Sequence, residues 1–115
     1  MQERRSEPRW MCADLVKVRI QAANRVEEAV ANLEDISPSG ACLQLEAATQ
    51  EGADIEILCA GCRLKGKVKY CRFSTIGYDV GIAFDERRSW SKERYEPKHL
   101  LQLPATQSKA GRARR

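Results

Sequence analysis

Tyr78-Asp79-Val80-Gly81-Ile82-Ala83-Phe84 is the clearest strand in the chain, with Tyr78, Val80, Ile82 and Phe84 on one face and Asp79, Gly81 and Ala83 on the other. A period of two marks an extended segment that buries one side against a core and shows the other to solvent. Working upstream, the same pattern returns. Leu64, Val68 and Tyr70 share a face opposite Lys65, Lys67 and Lys69, and Ile55, Ile57 and Cys59 precede them across Ala60-Gly61, a two-residue hairpin candidate. Glu51-Gly52 separates that pair from Ala41, Leu43 and Leu45, which alternate with Cys42, Gln44 and Glu46. Val26 to Glu34 is a further strand of less regular pattern, reached through a turn at Asn24. The first strand runs from Leu15 to Ile20, with Val16, Val18 and Ile20 opposite Lys17 and Arg19. Six short alternating strands with turn residues between them predict an all-β domain, an antiparallel barrel or sandwich.

After Phe84 the pattern changes. Asp85 to Glu96 is charged and predicts a helical turn or two around Trp90 and Tyr95. Pro97 suits the first turn of a short helical piece over Lys98–Leu103, whose Leu100, Leu101 and Leu103 would cover an open end of the sheet. Pro104 stops it. One domain over residues 1–104 is expected, opening with a flexible arm over 1–12, and Ala105 to Arg115 is expected to be a mobile basic tail.

With 43% hydrophobic and 31% charged residues in 115, the composition is that of one globular domain. No apolar run approaches the roughly 20 residues of a membrane helix, and no apolar stretch follows the charged N-terminus, so a soluble cytoplasmic protein is expected. The formal charge of +4 suits an anionic partner without identifying it. Five cysteines, an odd number, imply reduced thiols. Cys59-Ala-Gly-Cys62 lacks the second pair of ligands that structural zinc needs, and reads as two thiols flanking a turn. His99 is the only histidine and reads as a packing residue, so neither a metal site nor catalytic machinery is expected.

Two stretches carry chemistry. Arg4-Arg5-Ser6-Glu7-Pro8-Arg9 clusters guanidinium groups, each able to fork onto two phosphate oxygens or onto O6 and N7 of guanine. Asp35-Ile36-Ser37-Pro38-Ser39-Gly40 is a turn by composition. Its carboxylate can accept from N1–H and N2–H of guanine, its serine can donate to phosphate, and Gly40 permits close approach of a ligand to the backbone. Taken singly, each stretch is also readable as a solvated basic terminus and an ordinary loop.

Together they resemble the two motifs of the PilZ family: an arginine pair with three residues between, Arg5 and Arg9, and an Asp-x-Ser-x-x-Gly turn, Asp35, Ser37 and Gly40. Gly66-Lys-Val-Lys-Tyr70-Cys-Arg72 and Tyr78–Phe84 resemble the family's later strands, and the likeness covers about residues 4–103. The resemblance implies a six-stranded antiparallel β-barrel and a non-enzymatic receptor for cyclic di-GMP, with no further cofactor. Arg5 and Arg9 would bind phosphate and guanine, and Asp35, Ser37 and Gly40 a guanine with its sugar-phosphate. Arg4 would favour the ligand as a stacked, intercalated dimer. Tyr70 and Arg72 would be secondary contacts at most, Tyr70 reading first as a core tyrosine. The arm is expected to order on ligand binding and to signal to a downstream protein partner. Two other readings compete: a small basic barrel for single-stranded nucleic acid, ranked low because aromatics are only 6% and Tyr70, Phe73 and Tyr78 lie mostly on core-type faces, and a PilZ-like adaptor working through protein contacts without ligand.

Overall fold

The alternating stretches become strands in the computed structural model, which describes residues 7–103. They are β1 (Arg9–Ala22), β2 (Arg25–Ser37), β3 (Gly40–Leu45), β4 (Asp54–Cys59), β5 (Cys62–Ser74), β6 (Gly77–Phe84) and a short β7 (Leu101–Leu103). Neighbours run β2-β3-β6-β5-β4-β1, and β1 pairs with β2 as well, so six strands close on themselves. Every pairing is antiparallel. The six-stranded antiparallel barrel expected from the sequence is therefore the fold.

Inward side chains fill the barrel. Val18, Leu33, Ile36, Leu43, Ile57, Leu64 and Val80 are all nearly or fully inaccessible, and among the described residues no polar or charged residue is buried with them. Trp90, 2% exposed, packs against this cluster from the segment after β6. Its indole N–H donates to the carbonyl of Tyr95 at 2.8 Å, and the Tyr95 hydroxyl donates to Asp14 Oδ2 at 2.6 Å. A buried indole needs such a partner, and the strap from Trp90 to Tyr95 supplies it while tying itself back to β1.

The strap corrects one expectation. No helix occurs among the described residues: 85–96 forms turns, and the expected helical piece at 98–103 ends in β7. The physical reason lies in β1. Its C-terminal half pairs with β4 through Lys17–Ile20, which leaves the same edge of its first residues open. Leu101–Leu103 takes that edge, pairing with Met11, Trp10 and Arg9, and Ala13 N donates to Lys98 O at 3.0 Å. His99, at φ 59°, turns the chain into this strand, a conformation no helix interior contains. Leu101 consequently points outward at 61% exposure, and the role expected of the leucines falls chiefly to Trp90, with Tyr95 and Leu100 packed beside it.

One other boundary moves. β1 starts at Arg9 rather than Leu15, so residues 9–12 of the expected arm belong to the sheet, and Cys12 is buried. Arg4, Arg5 and the tail over 105–115 lie outside the described residues.

Ile57→Ala is expected to lower unfolding free energy by about 2–4 kcal/mol, since Ile57 is fully enclosed. Leu15→Ala, at a side chain 72% exposed, should change it by no more than about 0.5 kcal/mol. Urea titrations of the two variants check this; equal losses would contradict the packing described.

Candidate functional site

The site grows out of an irregularity in β2. Leu33 and Ile36 are both fully buried, yet an ideal strand cannot turn residues three apart to the same side. A shift in register between Leu33 and Asp35 resolves this, so that Glu34 and Asp35 are both left off the core. Asp35 then faces outward just before the Pro38-Ser39 turn. Gly40 opens β3 opposite Ala83, and a Cβ there would overlap the carbonyl oxygen of Ile82. Close approach of β6 thus requires glycine at this place, whatever a ligand requires.

Arg9 reaches this surface from the start of β1. Trp10 pairs with Ile36 and Met11 with Asp35, which brings the arm alongside the turn. Arg9 Nη2 donates to Asp35 Oδ2 at 2.7 Å, with the carboxylate 17% exposed and the guanidinium 39%. Glu7 makes a second link: Ser39 N–H and Ser39 Oγ donate to its two carboxylate oxygens at 2.9 and 2.8 Å. Ser37 Oγ donates to Gly40 O at 3.3 Å, inside the turn. The two segments named from the sequence, 26 positions apart at their closest pair, therefore meet on one face.

That face continues around the barrel. Asp35 is paired with Cys42, Cys42 with Gly81, and Gly81 with Tyr70, one row across four strands. A second register shift, between Val68 and Tyr70, puts Tyr70 on the outside instead of in the core. Its ring covers Gly81 so closely that any Cβ there would collide with it. The Tyr70 hydroxyl is 3.9 Å from Cys42 Sγ, and the Arg72 guanidinium lies 4.3 Å from the Tyr70 ring centre. Cation–π stacking of this kind makes a flat, cationic shelf. Phe73, expected on a core-type face, is instead 73% exposed; it stands opposite Tyr78 near the end of β5, the two rings edge-on at 5.4 Å.

The electrostatics of the patch favour protonated, uncharged groups. Burial, followed by the charge of Asp35, pushes the Cys42 thiol up to about 12, and burial with Cys42 beside it raises Tyr70 to about 12. Burial, then Asp79 and Asp35, raise the Glu34 carboxyl above its usual range. The Cys42 thiol and the Tyr70 phenol are therefore held in their protonated forms near neutral pH. Elsewhere, Cys59 and Cys62 stand across the Ala60-Gly61 turn with sulfurs 2.9 Å apart, both free thiols. Among the described residues no cluster of three metal-ligating side chains occurs.

Sequence reading named Arg9, Asp35, Ser37 and Gly40, and these are together; Arg4 and Arg5 lie outside the described residues. It passed over Glu7, Ser39 and Cys42. Glu7 and Ser39 stand inside the two quoted stretches, but only the fold reveals that they bond.

The raised Glu34 carboxyl makes a signed expectation. A carboxyl raised by folding opposes stability once pH exceeds its folded value, and is neutral in effect below its unfolded value. Glu34→Gln should therefore stabilise the domain at pH ~7, by less than about 1 kcal/mol because the group is partly solvated, and lose that advantage towards pH ~3. Thermal melts across this range provide the check.

No helix among the described residues is long and apolar enough to cross a membrane. No curated protein matches the chain at a significant level. A family model for the PilZ domain matches residues 3–95, a span that takes in the whole barrel and both motif segments. On the strength of that match, the chain belongs to the PilZ domain family.

Proposed function

We propose that the domain is a non-enzymatic receptor for cyclic di-GMP, one that hands ligand occupancy to a protein partner. Domains of this family are generally receptors for that dinucleotide and typically bind ligand rather than catalyse. The observation that carries the reading for this chain is the meeting of Arg9 with Asp35, 2.7 Å apart, beside the Ser37–Gly40 turn.

The chemistry matches both halves of the ligand. Arg9 forks onto a phosphate or onto O6 and N7 of guanine, and Asp35 accepts from N1–H and N2–H of the same kind of base. Ser37 and Gly40 line the turn beneath the sugar-phosphate. Arg4 and Arg5 enter through the motif match, Arg4 favouring a stacked ligand dimer. The Tyr70–Arg72 shelf extends the same face and suits a second purine ring.

Arg9 and Asp35 already satisfy one another, so ligand has to part them and then repay both. That exchange is favourable only when several charge-assisted contacts form together, because ordering the arm costs roughly 1–2 kcal/mol per residue. A single phosphate monoester is thus a poor substitute for the whole dinucleotide. Occupancy would reposition the arm and change the surface offered to a partner.

Titration calorimetry with cyclic di-GMP tests the proposal. Arg9→Ala and Asp35→Ala should each raise Kd by about 10- to 100-fold, the worth of one or two hydrogen bonds to a charged group. Near-wild-type affinity in both variants would remove the site assignment. Tight, salt-sensitive binding of random oligonucleotides with no response to the dinucleotide would favour a nucleic-acid-binding barrel instead.

A further inference from the structure

Ser39 belongs to neither motif position, yet it is the residue of the turn most visibly engaged with an anion. Its N–H donates to Glu7 Oε2 at 2.9 Å and its hydroxyl to Glu7 Oε1 at 2.8 Å. Behind it the turn is fixed: Ser39 O accepts from Phe84 N at 2.8 Å, and Pro38 O from Trp90 N at 3.3 Å. The hydroxyl of Ser37, by contrast, is spent within the turn on Gly40 O. What the turn presents outward is an amide N–H and a hydroxyl, side by side, converging on two oxygens of one acidic group. A carboxylate and a phosphodiester both offer two such oxygens on a single centre.

We propose that Ser39 is a phosphate-binding subsite of this domain, and that Glu7 is its built-in competitor, displaced when ligand arrives. The proposal rests on the cyclic di-GMP reading above and adds a residue pair to it. Three features of the geometry carry it. Both Ser39 donors are held by an anion of the chain itself, so the seat already has the shape an oxyanion needs. Glu7 lies on the same arm as Arg9, two positions away, so the arm is fastened to the hairpin by an ion pair and by this double hydrogen bond. A ligand phosphate drawn in by Arg9 and seated on the turn would compete with the negative charge of Glu7 for the same donors, and like charges brought together are unfavourable. Glu7 must then withdraw, and the Ser39 donors it leaves need an acceptor, which the phosphate supplies.

An opposite role for Glu7 is a strut that pre-positions Arg9 for ligand. The two roles differ in sign. As a competitor, Glu7 weakens binding, and removing its charge strengthens it; as a strut, Glu7 assists, and removing it weakens binding.

Calorimetric titration of the full chain with cyclic di-GMP separates them, using variants whose melting curves match the wild type. Glu7→Ala is expected to bind about five- to tenfold more tightly and Ser39→Ala about five- to tenfold more weakly. Glu7→Gln, which keeps the side chain's length but not its charge, should also bind more tightly. In the wild type, the Ser39 amide resonance should shift on adding the dinucleotide. Wild-type binding with Glu7→Ala and Glu7→Gln unchanged or weakened would overturn the proposal and leave the receptor reading intact. Absence of binding by every folded variant would overturn the receptor reading, and this proposal with it.

Discussion

One strand holds this molecule together, and it does so by serving both of its edges. β1 pairs with β2 along nearly its whole length, while its other edge takes β4 near one end and β7 near the other. Closing the sheet through β1 removes the open edges that a six-stranded sheet would otherwise expose. The same pairing fixes where the chemistry lies. Since Trp10 is opposite Ile36 and Met11 opposite Asp35, the arginine that opens β1 has no choice but to arrive beside the hairpin turn. A slip of one residue would turn the inner face of β1 outward and carry Arg9 away with it. Barrel closure and site assembly are thus consequences of one register.

The outer surface depends on two departures from regular pairing. In β2, the shift at Glu34 keeps Leu33 and Ile36 inside while turning Asp35 to the outer face. In β5, the shift after Val68 takes Tyr70 out of the interior and lays it over Gly81. Both irregularities fall on the face that carries Arg9, and together they produce its relief: a carboxylate, a pair of thiol and phenol groups held uncharged by burial, and an arginine stacked on an aromatic ring. β-Bulges re-aim side chains, and here they do so on adjoining parts of one surface.

How much of this is readable in the residues alone differs element by element. Tyr78–Phe84 and Leu15–Ile20 announce themselves because one side is buried and the other is solvated, which leaves a clean alternation in the sequence. Val26–Glu34 reads poorly for a definite reason: its half near Arg25 runs beyond the end of β3 and carries Val26 and Val30 on the exposed side, and the bulge at its far end changes the phase before Ile36. The segment after Phe84 misleads, because leucines near a proline suit a helix locally, whereas the vacancy along β1 is a tertiary fact that favours a strand. The site shows the same division. Arg9, Asp35, Ser37 and Gly40 carry recognisable chemistry at recognisable spacing, but the Glu7–Ser39 link joins positions 32 apart that no local pattern connects. Gly40 was legible as a residue that permits close approach, while the neighbour that approaches, the Ile82 carbonyl, emerges only from the fold.

The two tryptophans bring a practical corollary. Trp10 follows Arg9 directly and meets Trp90 edge-on, with ring centres 6.1 Å apart, and Lys92 stands 5.3 Å above the Trp10 ring. The backbone of Trp90 is in turn bonded to Pro38. Since the chain contains no other indole, all of its tryptophan emission originates at this seam. The domain accordingly carries an intrinsic optical gauge: any rearrangement of the arm against the hairpin alters quenching by the neighbouring ammonium and ring, with no dye attached.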